Sequence, residues 1–124
     1  MEKKNVLNGN KLITEFMNVK KDIYDKQPML IMGDKILETF DKTPHFHNSW
    51  DWLMPVVEKI EDFSEVGSIE ICTGAIFIWS SSEINSKIIV EEHVIKSKIE
   101  AVYKTVIKFI KWYNKNKIND MDRP

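Results

Sequence analysis

Histidines 45 and 47, aspartate 51 and tryptophans 50 and 52 crowd into one stretch, PHFHNSWDWLMPVVEKIE (Pro44–Glu61). Two imidazoles two residues apart in extended chain project to the same side. Such a pair can share a divalent metal, with Asp51 or the distant His93 completing the set. Pro44 and Phe46 equally suit a packed lead-in to a helix, in which the ring nitrogens are satisfied by protein neighbours. Two-residue histidine spacing arises readily by chance, so structural histidines are the simpler reading. On that reading no cofactor is predicted; a metal on His45 and His47 belongs to the alternative, a metal-dependent enzyme. No serine or cysteine context suggests a nucleophile. Cys72 alternates with apolar residues and is expected to be a buried, inert thiol.

The tryptophans pose a second question. At helical spacing Trp50 and Trp52 point roughly 200° apart, so both cannot enter one narrow core. One reading lets one ring seal the core while the other, Trp52, stacks on a ligand or partner; the other buries a wide hydrophobic arc under a sheet. Trp79 and Trp112 also lie at the edges of their apolar patterns. With four tryptophans in 124 residues, at least one is expected at a surface, where aromatic anchors mark interfaces. The expected contact set is therefore Trp50, Trp52, Asp51, His45, His47 and Trp79.

Lys104, Lys108, Lys111 and Lys115 form a row on a helical face and could meet an anion, helped by Ser81 in the loop Ser80–Ser82 with Asn85. A solvated face, with Glu100 and Lys104 as an ordinary ion pair, explains the row as well. The net charge of −1, with 18 basic against 19 acidic residues, provides no long-range field for a polyanion and argues against nucleic acid. A small anionic ligand needs only two or three donors. Arg123 is the sole arginine, so bidentate phosphate clamping is not the chemistry on offer.

These residues are carried by alternating helical and strand patterns. Asn10 can cap a short helix bearing Leu12, Ile13, Phe16 and Met17. Lys20–Gln27 reads as a polar turn. Met29–Met32 and Lys35–Phe40 flank Gly33-Asp34, a hairpin signal, although Lys35–Phe40 fits a helical turn too. Ser49 or Asn48 can cap a helix to about Phe63, with Trp50, Leu53, Met54, Val56, Val57, Ile60 and Phe63 on one arc and Trp52 at its edge. Pro55 implies either a start near Met54 or a bend. Ile69 and Ile71, then Thr73-Gly74, then Ala75–Ser80 form a hairpin, and Lys87–Glu91 a further strand. Ser97-Lys98-Ile99-Glu100 is a capping box for a last helix, and the tail 115–124 is expected to fray.

The fold class is therefore α+β: an antiparallel sheet of about three to five strands with three helices, the two longer ones packed on one face. Length fits a single domain, 1–124, with an ordered core over about 10–114. One cysteine excludes an internal disulfide. The opening residues lack a signal-peptide pattern and no apolar run reaches bilayer length, so a cytoplasmic, non-membrane protein is expected. The edges Met29–Met32 or Lys87–Glu91 leave room for a homodimer.

The segments SWDWLMPVVEKIE (Ser49–Glu61) and SKIEAVYKTVIKFIKWYN (Ser97–Asn114) resemble short uncharacterised proteins of Bacteroidota and of their phages and prophages. The resemblance does not reach the first 44 residues and brings no established activity or cofactor. It implies a setting: a small accessory protein, in the host cytoplasm if phage-encoded, that binds a host protein or a nucleotide-like defence signal.

Overall fold

A computed structural model describes residues 3–24, 27–32, 35–38, 44–81 and 87–121, with backbone alone for 20–38 and 117–121. Along the chain come helix α1 (Lys3–Met17), strands β1 (Lys20–Tyr24), β2 (Gln27–Met32) and β3 (Lys35–Glu38), helix α2 (Trp50–Glu61), strands β4 (Val66–Ile71), β5 (Ala75–Ser80) and β6 (Ile88–His93), and helix α3 (Lys98–Met121). The class is α+β. The strands form two antiparallel three-stranded sheets, ordered β1-β2-β3 and β4-β5-β6.

In the first sheet Met32 lies opposite Lys35 and Tyr24 opposite Gln27. The Gly33-Asp34 turn lies outside the described residues, but the strands it joins pair as expected. Lys20–Tyr24 is strand and not the expected turn. It is an edge strand paired to β2, a position at which lysines are tolerated. Met29–Met32 is correspondingly the central strand of its sheet and not an edge.

In the second sheet β5 is central, with alternating burial. Ile76 and Ile78 are fully buried, which puts Phe77 and Trp79 on the other side of the sheet. The turn is closed by the Cys72 N–H donating to the Ala75 carbonyl at 2.9 Å. Cys72 therefore belongs to the turn and is exposed; the alternation that promised burial stops at Ile71. Both outer strands carry an irregularity beside Trp79, between Val66 and Ser68 on β4 and at Ile78–Trp79 against β6. The β4 irregularity falls at Gly67, where a Cβ would come within 2.6 Å of the Ser80 carbonyl oxygen.

Helix α2 packs against β4, and α3 against β5 and β6. One buried cluster joins Leu53, Val56 and Ile60 of α2, Val102, Val106, Phe109 and Ile110 of α3, and Ile76, Ile78 and Val90 of the sheet. Ser49 occupies the N-cap of α2 without a side-chain capping bond, and the helix continues through Pro55. Ser97 caps α3, its Oγ accepting the Glu100 N–H at 3.3 Å. The last helix runs to Met121, beyond the expected fraying point, and the Asn116 Nδ2 donates back to the Trp112 carbonyl at 2.9 Å. Residues 122–124 lie outside the described set.

The expected short first helix is 15 residues long, exceeding α2 at 12. It ends in a Schellman motif: the Val19 N–H reaches the Thr14 carbonyl and the Asn18 N–H the Glu15 carbonyl. Asn18 takes the left-handed position, with φ of 55°. The Phe16 carbonyl in that last turn accepts from the Lys59 ammonium of α2, which also lies 4.5 Å from the Phe16 ring centre. Burial lowers the Lys59 pKa.

Candidate functional site

Asn10 lies in the middle of α1, 6% exposed, and is no cap. Its Nδ2 donates to the Pro44 carbonyl at 3.1 Å and lies 3.1 Å from His47 Nδ1. Its Oδ1 accepts from the Tyr103 hydroxyl at 3.0 Å, and that hydroxyl also lies 3.1 Å from the Val6 carbonyl. An amide nitrogen has two hydrogens and no acceptor. His47 Nδ1 must therefore accept, which places the proton of the neutral ring on Nε2. Burial lowers the His47 pKa, and the charge of His45 lowers it further. Burial likewise pushes the Tyr103 phenol up to about 12. These groups fasten α1, the segment before α2, and α3 to one another.

Gly9, beside Asn10, makes the close approach of α1 to α3 possible. A Cβ there would sit 2.6 Å from Ile107 Cδ1 and closer still to the Tyr103 oxygen. Above this contact the two helices leave a groove of about 280 Å³. Gly9, Leu12, Tyr103 and Ile107 form its floor; Asn5 and Asn8 stand on the α1 side, Lys104 and Lys111 on the α3 side. Lys104 is paired with Glu100 at 3.2 Å, and that hydrogen bond holds the Glu100 carboxyl below its ordinary range. Two lysines of α3 and two asparagines of α1 thus border an apolar base. Chemically, this arrangement offers hydrogen-bond donors and positive charge to an anion.

The lysine row is therefore divided by the fold. Lys104 and Lys111 border the groove, whereas Lys108 makes an ion pair with Glu92 on β6. Ser81 is elsewhere, past the end of β5, where its N–H donates to the Glu65 carbonyl at 3.0 Å. Its Oγ and Trp79 Nε1 are both shielded, without a hydrogen-bond partner among the described residues. Phe77 lies beside Trp79, ring centres 6.3 Å apart. Residues 82–86, including Asn85, lie outside the described set.

The tryptophan assignment reverses. Trp52 is 5% exposed and Trp50 is 40% exposed. The segment before the helix folds over its first turn, and the Trp52 ring meets Phe46 at 5.2 Å and His45 at 5.7 Å, both edge-on. Trp52 is thus a core residue, and Trp50 is the outward indole. Asp51 is exposed in the first turn of α2. Trp112 is half-buried against Phe109.

His45 and His47 do lie together, rings stacked with centres 6.3 Å apart. Among the described residues no group of three or more His, Cys, Asp or Glu gathers as metal ligands. His93 instead lies 3.4 Å from the Glu91 carboxylate of its own strand. No described helix is long and apolar enough to cross a membrane.

Sequence reasoning missed Asn5, Asn8, Gly9, Asn10 and Tyr103. A signal for Tyr103 existed: a tyrosine on the apolar stripe of α3 needs a partner for its hydroxyl. No family model, curated protein or solved structure matches the chain.

Proposed function

We propose that this chain is a non-enzymatic accessory binding protein, of the kind phages and prophages carry, which acts by occupying a small anionic ligand. The observation that carries this reading is the α1–α3 groove, where Lys104, Lys111, Asn5 and Asn8 surround an apolar floor. Its rim supplies protonated amines and amides, groups suited to holding an anion. The bonds of the Tyr103 hydroxyl to Asn10 and Val6 fix the spacing of the two helices, so the backbones that carry the donors are in place before ligand arrives and only side chains remain to be ordered. The phage setting rests on the resemblance of Ser49–Glu61 and Ser97–Asn114.

Isothermal titration of the full chain with inorganic pyrophosphate, against Lys104→Ala and Lys111→Ala, tests the groove. Binding that weakens about tenfold per lysine, roughly 1.4 kcal/mol, is expected. Turnover of a bound phosphoanhydride would overturn the passive mode of action.

A second reading, blockade of a host protein, is favoured by the outward Trp50. Its expectation is retention of one host protein by the wild-type chain and its loss with Trp50→Ala, measured by quantitative pull-down. Metal analysis of untagged protein separates both from a metal-dependent enzyme on His45 and His47, which requires stoichiometric metal.

A further inference from the structure

Helices α1 and α3 run parallel. Val6 and Asn10 meet Tyr103 at one end, and Phe16 meets Tyr113 at the other, ring centres 6.4 Å apart. Beyond the groove lies a second cavity, of about 460 Å³, and Leu12 lines both. The two are consecutive reaches along the same helix pair, with Leu12 as their common wall. From Lys104 to Asn114 they follow α3 for ten residues, roughly 15 Å at the α-helical rise. The second volume falls within the range of small-molecule sites and the first just below it.

The second reach has different chemistry. Phe16, Phe63 and Tyr113 form a triangle, with Phe63 5.7 Å from Phe16 and 4.7 Å from Tyr113. All three are half-buried and border the cavity. Around them stand the Lys59 ammonium, the Glu15 carboxylate and the Asn114 amide. Lys59 gives one N–H to the Phe16 carbonyl and has two more. Ring walls with donors and acceptors around them suit a flat heteroaromatic ring, which carries its polar atoms on its rim. An alkyl chain would leave those groups unanswered.

Orientation follows from charge. In the second reach the Glu15 carboxylate offsets the Lys59 ammonium, whereas Lys111 and the Glu100-paired Lys104 leave the positive excess at the first.

Resting on the anion-groove reading, we propose that the ligand is a nucleoside polyphosphate, its phosphates between Asn5, Asn8, Lys104 and Lys111 and its base against Phe63 and Tyr113. Isothermal titration of the full chain with inorganic pyrophosphate and with the four common nucleoside diphosphates tests it. At least one nucleotide is expected to bind ten or more times tighter than pyrophosphate. Glu15→Gln and Asn114→Ala, both at exposed positions, should weaken that nucleotide several-fold and leave pyrophosphate unchanged; Lys111→Ala should weaken both probes. Nucleotides no tighter than pyrophosphate, or indifferent to the Glu15 and Asn114 changes, overturn the two-part ligand but spare the anion groove. Absence of binding by every probe, or binding indifferent to Lys111→Ala, overturns both.

Discussion

Replacing Gly9 with alanine puts two opposing effects on one carbon atom. In an α-helix interior alanine is favoured over glycine by about 1 kcal/mol, so intrinsic propensity predicts a more stable protein. The packing predicts the reverse. The new methyl would lie 2.6 Å from Ile107 Cδ1 and nearer still to the Tyr103 oxygen. Tyr103 cannot simply swing away, because its hydroxyl is held at 3.0 Å from Asn10 Oδ1 and 3.1 Å from the Val6 carbonyl. Overpacking of this kind costs about 1–3 kcal/mol, and displacing the hydroxyl from its one donated bond adds about 1 kcal/mol. The expected net effect is a loss of about 2 kcal/mol, a fall in Tm of about 5–10 °C for a domain of this size. Urea unfolding of wild type, Gly9→Ala, Tyr103→Phe and the double variant forms a cycle that isolates the clash. Tyr103→Phe removes the nearest atom, so Gly9→Ala should cost less in that background. An alanine variant more stable than wild type, or a cycle with zero coupling, would refute the close-approach reasoning.

Other expectations concern the same scaffold. The folded His47 stays neutral below the ordinary histidine value of about 6.5, held down by burial first and by His45 second. Between the two values the unfolded chain binds the extra proton, so stability falls as pH drops below about 6.5; urea midpoints from pH 7.5 to 5.5 should show a drop in wild type that His47→Gln lessens, and equal slopes would contradict it. Trp52→Ala should cost about 3–5 kcal/mol as a buried aromatic truncation, and Trp50→Ala less than about 1 kcal/mol, read from chemical denaturation. Lys59→Met strips the donor from the Phe16 carbonyl and should destabilise by about 1–2 kcal/mol, with Lys59→Arg recovering part of it in thermal melts. Lys108→Ala breaks the pair with Glu92 yet should leave pyrophosphate affinity within twofold of wild type by calorimetry, in contrast to Lys111→Ala.

Elements with a strong period were legible in the chain. The alternation of AIFIWS and the capping box before the last helix each placed an element, because local pattern and tertiary burial agree there. Strand β1 was not legible: Lys20, Lys21 and Asp22 carry no alternation in sequence, and what defines the strand is its ladder to β2. The first half of α1 was hidden for a related reason. Asn5, Asn8 and Gly9 are poor advertisements for a helix, and distant Tyr103 stabilises them. The indoles exchange places relative to the arc of α2 alone because His45 and Phe46 fold back over Trp52. The lysine row looked uniform because its spacing is uniform; β6 on one side and α1 on the other give its members different work. The site depends throughout on contacts between segments far apart in sequence, which periodicity does not register.

The fastenings of α1 carry a consequence for how the molecule is made. Its described side-chain bonds to other elements run from a separation of 34 residues, Asn10 to Pro44, to one of 97, Val6 to Tyr103. Helix α1 is therefore synthesised well before α3, and it cannot take its seat until the later helix has been made. Until then Ile13 and Phe16 remain a sticky stripe awaiting a mate, and the α3 of a neighbouring nascent copy would serve as well as its own. At high expression this chain should yield helix-exchanged pairs, each α1 lodged on the other copy's α3.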